Sequence, residues 1–189
     1  MATTRRTAET PKRATARKTK GVAAADAVRA YQNDPVINFR LMEDTLTDGQ
    51  RQVVAALDEA MTLLPDMELR RVTVLNNLDN YLKQAQVKEV AQLRGKTVTN
   101  TPYMSTTTND LRPILERRYK NGLSKTAVII VHTEGKCKGV DVNAALGTQN
   151  GFREQNEIIL ARGQRFLIKR VEVIEDYNEP CPVLHLYAV

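Results

Sequence analysis

The feature that most constrains this sequence is a change in its hydrophobic pattern about halfway along the chain. Residues 22–64 carry apolar side chains at helical spacing, whereas the second half consists mainly of short aliphatic and β-branched runs. The clearest run, residues 127–133, is typical of a buried central strand. Helices followed by strands, without regular alternation between the two, predict an α+β domain.

Local signals divide the first half into elements. Thr47 and Gln50 have the spacing of a capping box, and the apolar positions after them predict a helix over residues 47–64. A β-branched run at residues 69–75 predicts a strand, and residues 79–94 predict another helix.

Strand signals dominate after residue 96. Besides residues 127–133, strands are predicted at residues 97–107, 157–160, 165–174 and 183–189. A short helix is expected after residue 108, with Asn109 or Asp110 as its cap and Gly122 past its end.

The net charge of +6 belongs to one end of the chain. Residues 1–20 hold seven basic side chains and one acid, and the other 21 basic and 21 acidic residues cancel. This segment has little to bury, which predicts a disordered basic tail before a single domain at residues 21–189. The tail is open to three interpretations: contact with nucleic acid or another polyanion, a targeting peptide, or a solubilising extension.

Composition also argues against several kinds of site. Cys137 and Cys181 are far apart, with only two histidines to join them, so we expect two reduced thiols and no metal centre. No apolar run reaches the roughly 20 residues of a bilayer span, and the chain begins without the apolar core of a signal peptide. We therefore expect a cytoplasmic protein with no membrane contact.

Three short motifs stand in a fixed order along the chain. Leu-Arg-Arg-Val at residues 69–72 is followed about 35 residues later by Ser-Thr-Thr at residues 105–107. Gln-Asn-Glu at residues 155–157 comes about 50 residues further on, before a turn at Gly163. In this order they resemble the ADP-ribosyltransferase superfamily, in the branch whose NAD⁺ site combines an arginine, a Ser-Thr-Ser strand and an (E/Q)xE motif. Tyr31 and the segment 36–41 also resemble the N-terminal helices of that branch.

The resemblance implies N-terminal helices packed on a split, mostly antiparallel sheet, with NAD⁺ as co-substrate. Arg71 is expected to bind the pyrophosphate through the planar fork of its guanidinium, with Arg70 as the competing choice. The two point to opposite faces of a strand, so only one can reach the site. The family commonly has Gly where this chain has Val72, which leaves the choice between them open.

Glu157 is the expected central catalytic residue. Cleavage of the nicotinamide glycosidic bond builds positive charge on the ribose, which a fixed carboxylate stabilises in the transition state. We expect Ser105 to orient Glu157 by donating its hydroxyl, and Thr106 and Thr107 to support the strand and the nicotinamide pocket.

Gln155 and Phe152 are the expected acceptor-recognition residues. Family members that modify arginine usually have Glu in place of Gln155, whereas QxE is found in clostridial Rho-modifying exoenzymes, which target asparagine, and in pierisin-like enzymes, which target guanine. A neutral amide that donates and accepts suits either acceptor. In an extended segment Gln155 would lie on the same face as Glu157.

The sequence therefore predicts a mono-ADP-ribosyltransferase that acts on a protein side chain other than arginine. Three alternatives stay open: modification of DNA or RNA, simple hydrolysis of NAD⁺, and a non-catalytic phage head-associated protein that keeps the fold. A phage-encoded enzyme would work in the host cytoplasm or travel in the virion.

Overall fold

The computed structural model describes residues 23–121, 125–176 and 179–189, which form six α-helices and nine β-strands. The helices are α1 (Ala24–Asn33), α2 (Ile37–Glu43), α3 (Asp48–Ala60), α4 (Asp79–Ala85), α5 (Arg112–Lys120) and α6 (Val142–Leu146). The strands are β1 (Thr62–Leu63), β2 (Glu68–Val74), β3 (Thr97–Asn100), β4 (Met104–Thr107), β5 (Thr126–His132), β6 (Lys138–Asp141), β7 (Glu157–Leu160), β8 (Gln164–Asp176) and β9 (Glu179–Ala188). The predicted tail and the predicted helix stop at Gly122 lie outside the described residues.

The strands form one sheet in the order β1-β6-β7-β4-β2-β5-β9-β8-β3. Neighbouring strands run antiparallel except β5 and β9, which run parallel. In the described ranges β2 and β4 share one register pair, Arg70 with Thr107, whereas β2 pairs with β5 along its whole length. The sheet is therefore almost divided between β4 and β2, and the predicted split, mostly antiparallel α+β fold is confirmed.

Strand β7 lies between the two main hydrophobic clusters. Ile159 packs with Val28 and Leu57 of the N-terminal helices, whereas Ile158 belongs to the larger cluster, which includes Leu184 of β9. Adjacent strand residues point to opposite faces, so β7 is buried on both sides. A side chain at the start of this strand is therefore held by a rigid element.

The predicted strand at residues 97–107 is in fact two strands on opposite halves of the sheet. β3 pairs with β8 at one edge, whereas β4 pairs with β7. The chain turns between them, where the Asn100 side chain donates a hydrogen bond of 2.6 Å to the carbonyl of Pro102. Pro102 has no backbone N–H to continue a ladder. The single-strand prediction is therefore wrong.

Two predicted helices are longer than the observed ones. The capping box of Thr47 and Gln50 is confirmed, but α3 ends at Ala60. The helix predicted over residues 79–94 ends at Ala85, because Gln86 adopts a left-handed conformation with φ of 55°, and a short 3₁₀ helix follows at Val90–Leu93.

Elements that the sequence analysis missed are short. β6 and α6 lie in the segment before β7, and the Asp141 side chain caps α6 by accepting a 3.0 Å hydrogen bond from the Ala144 amide. Helix α5 is flanked by Asp110, which accepts a 3.0 Å bond from the Arg112 amide, although the N-cap position itself is Leu111. None of the helices in the described ranges has the length and apolar character that crossing a bilayer requires.

Candidate active site

A cavity of about 810 Å³ opens where the sheet is divided between β2 and β4. Its walls come from these two strands, from the start of α5, and from the loop that leads into β7. All seven side chains predicted to form the site line this cavity: Arg71, Ser105, Thr106, Thr107, Phe152, Gln155 and Glu157. Residues that are distant in sequence are thus brought together at one opening.

A second cavity, of about 340 Å³, adjoins the first on the side of α1 and α2. The two share Ser105, Phe152, Gln155 and Glu157. The remaining lining of the smaller cavity comes from the N-terminal helices and the turn between them: Tyr31, Gln32, Asp34, Pro35, Ile37 and Asn38. Glu157 therefore lies on the boundary between an arginine-bearing cavity and a smaller one lined largely by polar and amide groups.

The two strand arginines have different partners. Arg71 Nη1 donates a hydrogen bond of 2.8 Å to the backbone carbonyl of Ser105, across the division in the sheet. Arg70 forms a 2.6 Å ion pair with Glu68 and a 3.3 Å hydrogen bond to the carbonyl of Thr108. Both arginines line the larger cavity, so the expectation that only one of them can reach the site is wrong. They differ in their contacts: Arg71 is tied to the site strand, whereas Arg70 is paired with an acid.

The hydroxyls of Thr106 and Thr107 are used to hold the neighbouring segment. Thr106 Oγ1 donates a 2.7 Å hydrogen bond to the carbonyl of Ile158 in β7, and Thr107 Oγ1 donates one to the carbonyl of Gln155. Both threonines are buried. Their contacts join β4 to β7 and to the loop that carries Gln155.

Glu157 is half-buried, and its Oε2 accepts a hydrogen bond of 2.7 Å from Gln32 Nε2 of α1. Ser105 interacts instead with Tyr31: burial raises the pKa of the Tyr31 phenol, and hydrogen bonds with Ser105 and Asn38 oppose the rise. Within the described residues, the carboxylate is therefore held by Gln32 rather than by Ser105. The bond expected from Ser105 to Glu157 is replaced by the bond from Gln32, which α1 brings to the start of β7.

The loop before β7 presents Gln155 and Phe152 to solvent. Phe152 is 58% exposed, although it lines both cavities. Gln155 ends a short 3₁₀ helix and Asn156 is left-handed, with φ of 44°, so the chain is not extended between Gln155 and Glu157. The alternation argument that placed these two on one face is wrong. The turn at Asn156 nevertheless brings both side chains to the same cavities.

An asparagine network fixes the shape of this loop. Asn109 donates to the carbonyl of Glu154, and Asn156 donates a 2.7 Å bond to Asn109 Oδ1. Asn143 donates a 3.0 Å bond to the carbonyl of Arg153 and accepts a 2.7 Å bond from Asn150. Gln155 and Phe152 are thus presented by a loop with many internal bonds.

Sequence reasoning missed two residues of the site. Arg117 of α5 lines the larger cavity and adds a further cation to the lining that also includes Arg71. Gln32 carries no motif, and only the packing of α1 against β7 places it at Glu157. In the parts of the chain that the structure describes, no group of three or more His, Cys, Asp or Glu side chains is arranged to hold a metal ion.

Comparison with known proteins gives one family and one fold. The sequence model of the ADP-ribosyltransferase exoenzyme family matches residues 34–183. No curated protein sequence matches the chain significantly.

Several solved structures share the fold of this chain at low sequence identity. The C3 exoenzyme of Clostridium limosum superposes with a TM-score of 0.64 and 17% identity over 86% of this chain and 84% of its own. Plx2a, an ADP-ribosyltransferase toxin from Paenibacillus larvae, gives 0.62 and 14% over 88% and 85%. C3stau2 from S. aureus, solved with NAD, gives 0.58 and 14% over 88% and 87%.

Proposed function

Because this chain belongs to the ADP-ribosyltransferase exoenzyme family, we propose that it cleaves NAD⁺ in the cavity between β2 and β4 and transfers the ADP-ribose to a protein side chain other than arginine. The observation that carries the proposal is the convergence of Arg71, Ser105 and Glu157 on this one cavity. They come from three strands and supply the cation, the hydroxyl and the carboxylate that the reaction needs.

Arg71 binds the pyrophosphate of NAD⁺. A guanidinium offers several N–H donors in one plane, so it can contact two phosphate oxygens while one Nη still bonds the carbonyl of Ser105. Arg117 lies on another wall of the same cavity and adds positive charge for the second phosphate. The ion pair of Arg70 with Glu68 favours Arg71 for this role.

Glu157 stabilises the transition state of bond cleavage. As the bond between C1′ of the ribose and the nicotinamide nitrogen breaks, its electron pair leaves with nicotinamide and positive charge builds on the ribose ring. The carboxylate of Glu157 interacts with this charge, directly and through a ribose hydroxyl, more strongly than with the neutral ring of the substrate. Ser105, on the paired strand, supports the same wall of the cavity.

Gln155 and Phe152 select the acceptor. The acceptor nucleophile attacks C1′, forms the new bond there and loses its proton to solvent or to a nearby base. Gln155 is neutral and exposed at the edge of the cavity, so it can bond an amide but cannot form an ion pair with an arginine. The exposed ring of Phe152 offers an apolar contact for the incoming protein.

The test uses the full chain, labelled NAD⁺ and a bacterial lysate. Nicotinamide release and label transfer are measured for the wild type, for Glu157→Gln, and for Glu175→Gln, a matched change at an exposed acid of β8. We expect Glu157→Gln to lower nicotinamide release about 100-fold or more, and Glu175→Gln to leave it unchanged. A wild type that releases no nicotinamide would overturn the proposal in favour of a non-catalytic role, and an unaffected Glu157→Gln variant would overturn the role proposed for Glu157.

Digestion of the labelled products identifies the class of acceptor. Label that protease releases and nuclease does not supports a protein acceptor. Label that only nuclease releases would replace this part of the proposal with modification of DNA or RNA, which the seven basic side chains of residues 1–20 would favour.

A further inference from the structure

The side chain of Gln32 in α1 is hydrogen-bonded to the carboxylate of Glu157. Gln32 Nε2 donates a hydrogen bond of 2.7 Å to Oε2, joining residues that are 125 positions apart. Among the residues that the structure describes, no hydrogen bond engages the other oxygen, Oε1. One oxygen of the carboxylate is therefore held by the protein, and the second is left to interact with a substrate.

The helix that carries Gln32 is itself firmly attached to the site strand. The neighbouring Tyr31 is buried and packs edge to face on Tyr103, with ring centroids 5.4 Å apart. Asn38 donates a 2.9 Å bond to the Tyr31 hydroxyl and also bonds the backbone N–H and carbonyl of Tyr103. Because these contacts attach α1 to Tyr103, just before Ser105, the amide of Gln32 is held in a fixed position.

The direction of approach is also informative. Gln32 lines the smaller cavity and not the larger one, whereas Glu157 lines both. The amide therefore reaches the carboxylate from the side of α1, away from the cavity that contains Arg71. It can stay bonded to Oε2 while a ribose occupies the larger cavity.

We propose that Gln32 is a positioning residue for Glu157, which fixes the carboxylate so that Oε1 meets the ribose during bond cleavage. The inference rests on the proposed function. A neutral donor suits this role because it bonds the carboxylate and leaves its negative charge in place for the transition state. Small displacements of a catalytic group can cost about 100-fold in rate, so a hydrogen bond that removes rotational freedom matters to catalysis.

The test compares Gln32→Met, which keeps the length of the side chain without a donor, with Gln32→Glu, which keeps its shape and places a second carboxylate beside Glu157. Nicotinamide release gives kcat and KM, and calorimetry gives the affinity for NAD⁺ and verifies a folded site. We expect kcat to fall about tenfold or more in Gln32→Met and further in Gln32→Glu. The KM and the affinity for NAD⁺ should stay within about twofold in Gln32→Met, because the contact is made to the carboxylate.

The matched control is Gln84→Met. The amide of Gln84 is hydrogen-bonded, to the N–H and carbonyl of Thr99, but it lies outside both cavities. Its kcat should equal that of the wild type.

Two results would overturn the inference. An unchanged kcat and an unchanged NAD⁺ affinity in Gln32→Met would mean that the bond has no role in catalysis. An unchanged kcat with a tighter NAD⁺ affinity would instead identify Gln32 as a group that the substrate displaces. Either result leaves the proposed function intact. A wild type without NAD⁺ cleavage would instead remove the proposed function, and this inference with it.

Discussion

Arg71 and Ser105 are joined across the division in the sheet, because Arg71 Nη1 donates a hydrogen bond of 2.8 Å to the Ser105 carbonyl. Their strands share one described register pair, so the backbone ladder does little to fix the distance between them. The guanidinium therefore bridges the gap that opens into the larger cavity. It is held in position by the same strand that carries the hydroxyl groups of the site.

Replacing Arg71 with lysine should weaken NAD⁺ binding. An ammonium cannot bond the Ser105 carbonyl and present a planar fork to two phosphate oxygens at once. We expect the KM for NAD⁺ to rise about tenfold or more, measured by nicotinamide release. Arg70→Lys is the matched comparison, and its effect should be smaller. A larger loss in Arg70→Lys would reverse the assignment of the phosphate-binding arginine.

Replacing Gln155 with glutamate should lower the transfer of ADP-ribose without a matching loss of NAD⁺ cleavage. The new charge lies on the acceptor side, so we expect transfer of ADP-ribose to the native acceptor to fall about tenfold. Nicotinamide release without acceptor should stay within about threefold, because Glu157 is unchanged. Gln52→Glu, an exposed position of α3, controls for the added charge. Cleavage and transfer that fall together would contradict a role in acceptor selection.

The residues that the sequence predicted for the site lie together in the structure, whereas several of the elements around them have other bounds than predicted. Arg71, Ser105 and Glu157 were identified from the order and spacing of motifs, and all three line one cavity. The three residues lie together because each belongs to a strand, and neighbouring strands bring their side chains together in a small number of registers. The split, mostly antiparallel sheet that the family resemblance implied is also confirmed.

The wrong or missing predictions share one cause: a local sequence pattern does not show which distant residues an element will contact. Nothing in the pattern around Gln32 predicts its bond to Glu157, because that bond depends on how α1 packs on β7. The left-handed residue Asn156 invalidates an argument from strand alternation, since a single positive φ reverses the side-chain direction that an extended chain would give. The division of residues 97–107 into two strands likewise depends on distant partners.

Removing the hydroxyl of Tyr103 should destabilise the fold. The Tyr103 hydroxyl donates a 2.6 Å hydrogen bond to Asp58 Oδ1 and lies 3.1 Å from the carbonyl oxygen of Val54. These contacts anchor α3 to the residue just before β4. We expect Tyr103→Phe to lower the free energy of unfolding by about 1–2 kcal/mol in urea titrations. Tyr187→Phe, whose ring stacks on His132, should change it by less than about 0.5 kcal/mol. Equal losses in both variants would contradict the anchoring role.

The cysteines should be unreactive in the native protein. Cys137 is fully buried, and burial raises the pKa of its thiol to about 12, so almost no thiolate exists near neutral pH. Cys181 is 1% exposed. We expect iodoacetamide to modify neither residue in the folded protein and both in denaturant, as measured by mass spectrometry. Rapid modification of the folded protein at Cys137 would show that this part of the core opens.

A histidine pair lies on the central strands, away from both cavities. His185 is buried, and its ring is 3.2 Å from His132 Nε2 and 2.7 Å from Arg170 Nη2, with Glu172 at 3.3 Å. Burial lowers the pKa of His185, the charge of Arg170 lowers it further, and Glu172 opposes the shift. The folded protein therefore favours the neutral imidazole.

The lowered pKa of His185 predicts that the folded protein loses stability at acid pH. The unfolded chain binds a proton at His185 near its ordinary pKa of 6.5, whereas the folded protein binds it only at lower pH. The stabilisation from the neutral His185 is therefore present above pH 6.5 and is lost as the pH falls through the pKa of the folded protein. We expect the free energy of unfolding to drop more between about pH 7.5 and 5.5 in the wild type than in His185→Gln, which cannot titrate there. Parallel losses in the two proteins, measured by urea unfolding, would assign the acid sensitivity to other groups.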